Sequence, residues 1–201
     1  QAFQILDTQD QLSAIRRLCK QFNVDEERFP PKELMWFFAS CKEDGLRAKD
    51  VPAHDEHSRR KLEIYALYEE QCQREGVVDF GELMLRSYEL LRDHASVREH
   101  YQRRFRHILV DEFQDTDPVQ FAIIDRLFGQ ALSDGTKPPF FMVGDPKQAI
   151  YAFRGADVYA YLGARAQADA CYSIDTNFRS DAPIVQFVNA LFAPKDAFVE
   201  N

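Results

Sequence analysis

Apolar residues in the first half of the chain recur every three or four positions, the spacing of an amphipathic helix. Four such stripes are separated by polar segments or by Gly and Pro. They comprise Leu12, Ile15, Cys19 and Phe22; Leu34, Phe37, Phe38 and Cys41; the segment from Arg59 to Arg74; and Phe80, Leu83, Met84, Tyr88 and Leu91. The pattern predicts four helices, and the charged positions between the apolar ones are expected to be solvent-exposed faces.

Polar residues, Pro and Gly mark the expected ends of these helices. Thr8 and Gln11 have the spacing of a capping box, which predicts that Thr8 caps the first helix. Pro30 and Pro31 suit the start of the second helix, and Gly76 suits the end of the third.

The pattern changes near Arg106, where short continuous apolar runs begin to alternate with helical segments. The runs are Ile108 to Val110, Phe140 to Val143 and Cys171 to Ile174. Runs of this length predict strands buried on both faces, and helices are expected from Pro118, from Val158 to Ala168 and from Pro183 to Phe192. Alternation of strand and helix predicts a parallel sheet with helical crossovers, an α/β fold.

Composition excludes several classes of protein. The chain has 201 residues, of which 45% are hydrophobic and 29% charged, and this excludes disordered and collagen-like chains. No apolar run approaches the roughly 20 residues that cross a bilayer. The four cysteines (Cys19, Cys41, Cys72 and Cys171) are far apart, so neither a disulfide framework nor a zinc site is expected, and a reducing cytoplasm is the expected location.

The net charge of the chain restricts how it could bind nucleic acid. The 25 Lys and Arg residues against 33 Asp and Glu residues give a net charge of −8, which excludes a polybasic protein that coats nucleic acid. Any nucleic-acid contact is therefore expected to be local. Acidic residues outnumber basic ones most clearly after Val110, so a metal and nucleotide site is expected in the second half of the chain.

Acidic residues follow the first apolar run directly, beginning with Asp111 and Glu112. In a nucleotide hydrolase the first acid would hold Mg²⁺ through water, and the second would position or deprotonate the attacking water. Asp117 is instead expected to cap the next helix. Capping alone would not require an acid pair at the end of a buried strand, where desolvation and repulsion are costly, so the pair favours a functional site.

Polar and aromatic residues also follow the other two runs. After Val143, Gln148 could hydrogen-bond a phosphate or a water. Tyr151 and Phe153 offer faces for stacking on bases, although two aromatics at this spacing fit a buried core equally well. Arg154 could compensate charge. Thr176 to Ser180 follow the third run, and Arg179 among them could equally form an ordinary surface ion pair.

The three strand ends together resemble the UvrD/Rep-like superfamily 1 DNA helicases. Val110 to Thr116 is similar to their Walker B motif, Gly144 to Asp157 to the motif that links ATP to single-stranded DNA, and Asn177 to Ser180 to the next helicase motif. Ile5 to Leu18 and Gln71 to Leu91 resemble the 1B subdomain of UvrD-type enzymes.

The resemblance implies the organisation of the chain. Residues 1–105 would form a mostly α-helical, 1B-like subdomain, and residues 106–201 the carboxyl-side half of a RecA-like ATP-binding domain with a partial parallel sheet. The segment from Asp145 to Tyr151 is closer to RecB-type nuclease-helicases than to UvrD-type enzymes. Phe153 also departs from the UvrD type, whose members usually have Trp at this position. No G-x-x-x-x-G-K-[ST] loop occurs, so the chain is expected to be an internal segment of a larger helicase.

The resemblance also implies cofactors, partners and residue roles. ATP and Mg²⁺ would be the cofactors, and single-stranded DNA and duplex junctions the partners, with movement from 3′ to 5′ and with repair or recombination proteins as further partners. The implied roles are Asp111 for Mg²⁺, Glu112 as catalytic base, Gln148 and Arg179 near the γ-phosphate, Phe178 against the adenine, Tyr151 and Phe153 stacked on DNA bases, and Arg154 between the two sites.

Two other functions stay open at this point. Without a phosphate-binding loop, the chain could be a non-catalytic module that binds single-stranded DNA. It could also be a metal-dependent nuclease that uses Asp111, Glu112 and Asp115, although that chemistry gives no place to Gln148 or Arg179.

Two weaker clusters are also present. The segment from His54 to His57 lies in a polar loop, where a solvated surface is expected rather than a metal site. Arg98, Arg103, Arg104 and Arg106 are more simply one face of a charged helix than a contact with DNA phosphate.

Overall fold

The computed structural model describes residues 3–129, 131, 135–150, 157–174 and 176–192. As far as Arg104 the chain is mainly helical, and the four predicted helices are present as α1 to α4. The elements are β1 (Gln4–Ile5), α1 (Thr8–Gln21), α2 (Pro31–Glu43), α3 (Glu56–Glu75), β2 (Val77–Val78), α4 (Phe80–Asp93) and α5 (Ala95–Arg104).

The cap of α1 differs from the predicted one. The Asp7 carboxylate accepts hydrogen bonds from the backbone N–H groups of Gln9 and Asp10, both at 2.8 Å. Asp7 has the extended backbone of a capping residue, whereas Thr8 is already helical. The prediction that Thr8 caps the helix is therefore wrong by one residue.

Helix α3 begins earlier than its apolar stripe indicates. The Asp55 side chain accepts a hydrogen bond from the Ser58 N–H at 2.6 Å and caps the helix, so α3 begins at Glu56 rather than near Arg59. Gly76 ends the helix as predicted, with φ of +68° in the left-handed region that favours glycine.

The short parallel pair of β1 and β2 was not expected from the helical pattern. Gln4 pairs with Val77 and Ile5 with Val78, so the start of the described chain lies beside the segment that follows α3. Two-residue strands carry too little periodicity to be predicted. The pair places Asp79, the residue after β2, at the centre of the helical part.

Stacked aromatic rings of α2 and α3 form the centre of the helical core. The Phe38 ring centroid lies 4.9 Å from that of Tyr65 and 5.1 Å from that of Tyr68. Ile15 and Leu18 of α1 are fully buried in the same cluster. Burial of this size is the main force that holds the helices together.

The buried face of α4 differs in part from the predicted stripe. Phe80, the first residue of the helix, is exposed, while Leu85, outside the stripe, is fully buried. Glu82 is also buried. A carboxylate can occupy this face because cations of neighbouring elements lie opposite it.

These charges form a buried ion-pair network around Lys42 of α2. Its Nζ lies 2.7 Å from Asp79 Oδ2 and 3.3 Å from Glu82 Oε2, and Arg47 Nη1 lies 2.9 Å from Glu82 Oε2. Burial acts to raise the pKa of Glu82, but the charge of Lys42 and the hydrogen bonds from Arg86 and Arg47 outweigh it and lower the pKa. The prediction that the charged positions of these helices are merely solvated faces is wrong here.

The second part of the chain alternates strand and helix, as predicted. Its elements are β3 (Ile108–Val110), a 3₁₀ turn (Phe113–Asp115), α6 (Pro118–Ile124), a π-helical turn (Asp125–Gly129), β4 (Phe140–Met142), a 3₁₀ turn (Pro146–Gln148), α7 (Val158–Gln167) and α8 (Ala182–Phe192). Helix α6 packs against α4 and α2, so the two parts of the chain are in contact.

Strands β3 and β4 are parallel neighbours, which confirms the predicted pairing. Ile108 pairs with Phe140 and Val110 with Met142. Leu109 and Phe141, paired on the opposite face, are 66% and 58% exposed. Burial on both faces is therefore wrong for the described residues: the face of Leu109 and Phe141 is exposed, and the face of Val110 and Met142 is half-buried.

The third apolar run is not a strand. Residues 171–174 have irregular backbone, and Tyr172 and Ile174 are exposed. An apolar segment becomes a strand only where a neighbour takes its backbone hydrogen bonds, and the described residues provide none here. Within the described ranges, no helix has both the length and the apolar character needed to cross a membrane.

Candidate active site

The backbone at the end of β3 is strained at Glu112. Its φ of +50° lies in the left-handed region, which costs a non-glycine residue free energy and is concentrated at functional sites. The next residue, Phe113, is buried, and its N–H donates to the Val143 carbonyl at 2.9 Å. This anchor fixes the turn, while Asp111 and Glu112 remain exposed at the carboxyl end of the strand.

A shallow cleft of about 430 Å³ opens beside these acids. Its polar lining comes from Asp111, Glu112, Asp115, Thr116 and Gln120. Its apolar floor comes from Met84, Val110, Ile123 and Ile124. The cleft therefore combines carboxylates with a hydroxyl and an amide against an apolar floor, as ligand sites commonly do.

A buried glutamine joins the two strand ends. Gln114 Nε2 donates to Glu112 Oε2 at 2.7 Å, and its Oε1 accepts from the Asp145 N–H at 3.1 Å. Asp145 Oδ2 in turn accepts from Gln148 Nε2 at 3.2 Å. Glu112 is thus connected to Gln148 through the side chain of Gln114 and through Asp145, whose backbone N–H and carboxylate each make one of these hydrogen bonds.

Glycine is required where β4 leaves the sheet. A Cβ atom at Gly144 would lie 2.8 Å from Gln114 Oε1 and 3.1 Å from the Gln114 backbone nitrogen. The Gly144 carbonyl also accepts a hydrogen bond from the Tyr161 hydroxyl at 3.3 Å. Without a side chain at residue 144, the second strand end can approach the first closely.

The other predicted site residues lie elsewhere or outside the described residues. Phe178 and Arg179 are exposed in the turn before α8 and do not line the cleft. The Asn177 side chain holds that turn by accepting from the N–H groups of Arg179 at 2.9 Å and Ser180 at 3.0 Å.

The three residues predicted to contact DNA, Tyr151, Phe153 and Arg154, all lie outside the described residues. Their roles therefore stay predictions, as do those of Phe178 and Arg179.

Acidic groups surround the amino end of α6. Asp117 caps this helix, as predicted, and forms a capping box with Gln120. Burial, and then the charges of Asp117 and Asp44, raise the pKa of Glu43 to about 7. Burial also raises the pKa of Asp117, against the effect of its hydrogen bonds from the backbone of Gln120 and Val119.

The donor set of the cleft fits a magnesium ion that is shared with phosphate. Within the described ranges, no group of three or more His, Cys, Asp or Glu side chains forms a cage for a metal. Mg²⁺ does not need one, because it usually binds through one or two carboxylates, waters and substrate phosphates. The exposed carboxylate of Asp111 suits this role, and Asp115 Oδ1 is buried without a hydrogen-bond partner among the described residues.

The two weaker clusters have structural contacts. The His57 ring stacks on Phe29 at 4.8 Å, and Asp55 caps α3. Arg98 Nη1 donates to the Leu91 carbonyl at 2.7 Å and so satisfies the end of α4, while Arg103 lies 3.6 Å from Glu99. The loop prediction is wrong for Glu56 and His57, which belong to α3, and Arg106 lies beyond the end of α5.

Sequence reasoning missed Gln114 as a member of this site. A glutamine two positions after Glu112 gives no periodic or charge signal, and its second partner, Asp145, follows a strand that comes about 30 residues later in the chain. The available clue was Gly144, since a glycine directly after a strand indicates a close approach of backbone. Thr116 and Gln120, which line the cleft, were missed for the same reason.

Carboxylates at the carboxyl end of a parallel strand, joined to the exit of the neighbouring strand, are typical of nucleotide-hydrolysing α/β domains. Residues 1–169 match the model of the UvrD/REP helicase N-terminal domain. The chain therefore belongs to the UvrD/REP helicase family, as its motifs predicted.

Three relatives show the range of the similarity. DNA helicase II of Haemophilus influenzae is 40% identical over 195 residues, which cover 96% of this chain and 26% of that protein. The RecBCD enzyme subunit RecB of Escherichia coli is 36% identical over 76% of this chain and 13% of its own length. The ATP-dependent DNA helicase PcrA of Leuconostoc citreum is 27% identical over 99% of this chain and 27% of its own length.

The chain thus spans about a quarter of the length of DNA helicase II and PcrA, its relatives here. Relatives of both the helicase II type and the RecB type match, so the subfamily stays a prediction.

Proposed function

We propose that this chain is part of an ATP-dependent DNA helicase or translocase that couples hydrolysis of Mg·ATP to movement on single-stranded DNA. Residues 1–105 are its helical subdomain and 106–201 half of a RecA-like domain. The observation that carries the proposal is the acid pair at the end of β3, strained at Glu112 and linked by hydrogen bonds to Gln148. Relatives named as DNA helicases support it.

The described residues suggest a division of labour around the nucleotide. Asp111 would hold the magnesium ion, and that ion would neutralise charge at the phosphates. Glu112 accepts the proton of the attacking water, and its exposure leaves it free to reach that water. Gln148 would contact the γ-phosphate when it is present, and so couple the nucleotide to the segment after β4 that carries Tyr151, Phe153 and Arg154.

The substrates and partners of the whole protein follow from the same family. Single-stranded DNA and duplex junctions are the proposed nucleic-acid partners, with movement from 3′ to 5′. The similarity to a RecBCD subunit supports repair or recombination proteins as further partners. A cytoplasmic location stays a prediction.

ATP hydrolysis by the full-length protein tests the proposal. Turnover is measured with Mg²⁺, with and without single-stranded DNA, in the wild type and in Glu112→Gln. We expect DNA to stimulate turnover and Glu112→Gln to lower kcat by about 10²- to 10⁴-fold, the usual contribution of a general base. Glu99→Gln, the same change on α5 away from the cleft, is the matched control and should keep wild-type turnover.

Two other results would contradict the proposal. Wild-type turnover in Glu112→Gln would remove the catalytic role of that residue. DNA binding that ATP never affects, without turnover in any variant, would favour the non-catalytic module, and DNA cleavage without ATP would favour the nuclease.

A further inference from the structure

Gln114 is almost entirely buried at the junction of the two strand ends, with 2% of its surface exposed. A buried amide must find partners for its donor and acceptor atoms, and those of Gln114 lie on different segments of the chain. The donor faces the carboxylate of Glu112, and the acceptor faces the backbone N–H of Asp145.

Chemistry fixes the orientation of this amide. A carboxylate accepts hydrogen bonds and a backbone N–H only donates, so exchanging the oxygen and nitrogen of Gln114 would lose both contacts. The 2.7 Å bond to Glu112 is charge-assisted, which makes it the stronger of the two. Gln114 therefore binds the Glu112 carboxylate through its nitrogen and the backbone N–H of Asp145, just after β4, through its oxygen.

Two features show that the surroundings are built for this contact. The backbone of Glu112 is strained in the left-handed region, and in this conformation its carboxylate accepts the hydrogen bond from Gln114. Gly144 leaves the space that the Gln114 oxygen occupies, since a Cβ atom there would lie 2.8 Å from it.

We infer that Gln114 is a positioning residue that orients the Glu112 carboxylate for catalysis and links it to the segment carrying Gln148. The inference rests on the proposed function. A shift of Asp145 reaches the carboxylate of Glu112 through the side chain of Gln114. Gln114 thereby makes hydrolysis depend on the conformation of the segment after β4, where the predicted DNA-contacting residues follow.

Steady-state ATP hydrolysis by the full-length protein tests the positioning role. Gln114→Met keeps the volume and removes both hydrogen bonds. We expect it to lower the DNA-stimulated kcat by about 10- to 100-fold, the usual effect of losing a partner that orients a site residue, with less than about a twofold change in the KM for ATP. Gln102→Met, at a buried glutamine of α5 away from the cleft, is the matched control and should leave kcat unchanged.

Gly144→Ala tests the same contact by disturbing Gln114 from the neighbouring strand end. The new Cβ atom would lie 2.8 Å from the Gln114 oxygen and 3.1 Å from its backbone nitrogen, so this variant should displace Gln114 and reproduce the loss in kcat without changing the residue at 114. Gly163→Ala, where a Cβ atom meets nothing within 4 Å, is its control and should be neutral in activity.

A double-mutant cycle separates positioning from loss of fold. If Gln114 acts through Glu112, adding Gln114→Met to Glu112→Gln should lower kcat no further. A multiplicative loss in the double variant, or wild-type kcat in Gln114→Met, would overturn the inference while leaving the proposed function standing.

Amide hydrogen exchange gives a readout that needs no turnover. In the full-length protein, Gln114→Met should increase exchange in the peptide that contains Asp145, while Gln102→Met should not. Unchanged exchange would overturn the link between the strand ends. Absence of DNA-stimulated turnover in the wild type would instead overturn the proposed function, and the catalytic part of this inference with it.

Discussion

Replacement of Lys42 by Met tests the buried ion-pair network of the helical part. Lys42 is 3% exposed and lies 2.7 Å from Asp79 and 3.3 Å from Glu82. Methionine keeps much of the side-chain volume and removes the charge. Removing one partner of a buried pair typically costs about 3–5 kcal/mol, because the remaining charge is left without compensation.

The contacts that remain place the expected loss at the lower end of this range. Asp79 keeps hydrogen bonds from Gln11, the Tyr68 hydroxyl and the Glu82 N–H, all neutral donors. Glu82 keeps the two arginines already described. We therefore expect Lys42→Met to lower the free energy of unfolding by about 3 kcal/mol.

Urea denaturation followed by circular dichroism measures this loss. Arg86→Met is the matched control, because Arg86 contacts the same Glu82 at 2.6 Å but its side chain is 50% exposed. An exposed pair contributes about 0–1 kcal/mol, so this variant should remain near the wild type. Adding Asp79→Asn to Lys42→Met should recover part of the stability, since it removes the uncompensated charge.

The reasoning is refuted if the free energy of unfolding of Lys42→Met lies within about 1 kcal/mol of the wild-type value, which is the loss expected for an exposed pair. It is also refuted if the two methionine variants lose equal stability, because burial would then not decide the strength of these pairs.

Two further predictions concern stability. Because the folded state raises the pKa of Glu43 from 4.5 to about 7, its stabilising contribution is complete below pH 4.5 and is lost as the pH rises through 7. Glu43→Gln should therefore stabilise the protein by about 1 kcal/mol at pH 8, after allowance for solvent screening, and hardly at all at pH 4.5; equal effects at both pH values in urea denaturation would contradict this. Gly76→Ala should cost about 1 kcal/mol in thermal unfolding, because its φ of +68° strains any residue with a Cβ atom although the site has free space. A neutral result would show that the turn relaxes.

Local patterns were enough to predict much of the fold. The helices follow from apolar spacing, and the runs beginning at Ile108 and Phe140 are parallel neighbours as the alternation indicated. The exposed face of Leu109 and Phe141 was not predictable, because an apolar run does not show whether a second layer covers it. Residues 171–174 failed as a strand for the related reason that pairing depends on a neighbour.

The sequence indicates candidate site residues only where their chemistry is visible along the chain. Asp111 and Glu112 stand out because two acids end an apolar run. Gln114 and Lys42 do not, because their importance comes from partners on other elements. Long-range polar contacts of this kind have no periodic signal, and they are what sequence reasoning alone leaves out.

The short pair of β1 and β2 has a consequence for the order in which the protein folds. Gln11 and Asp79, held near each other beside this pair, are 68 positions apart in the chain. Joining segments so distant costs on the order of 4 kcal/mol in chain entropy, which few local contacts can repay early. The pair should therefore form late in folding, after α2 and α3 have packed, and only then do the charges around Asp79 leave water.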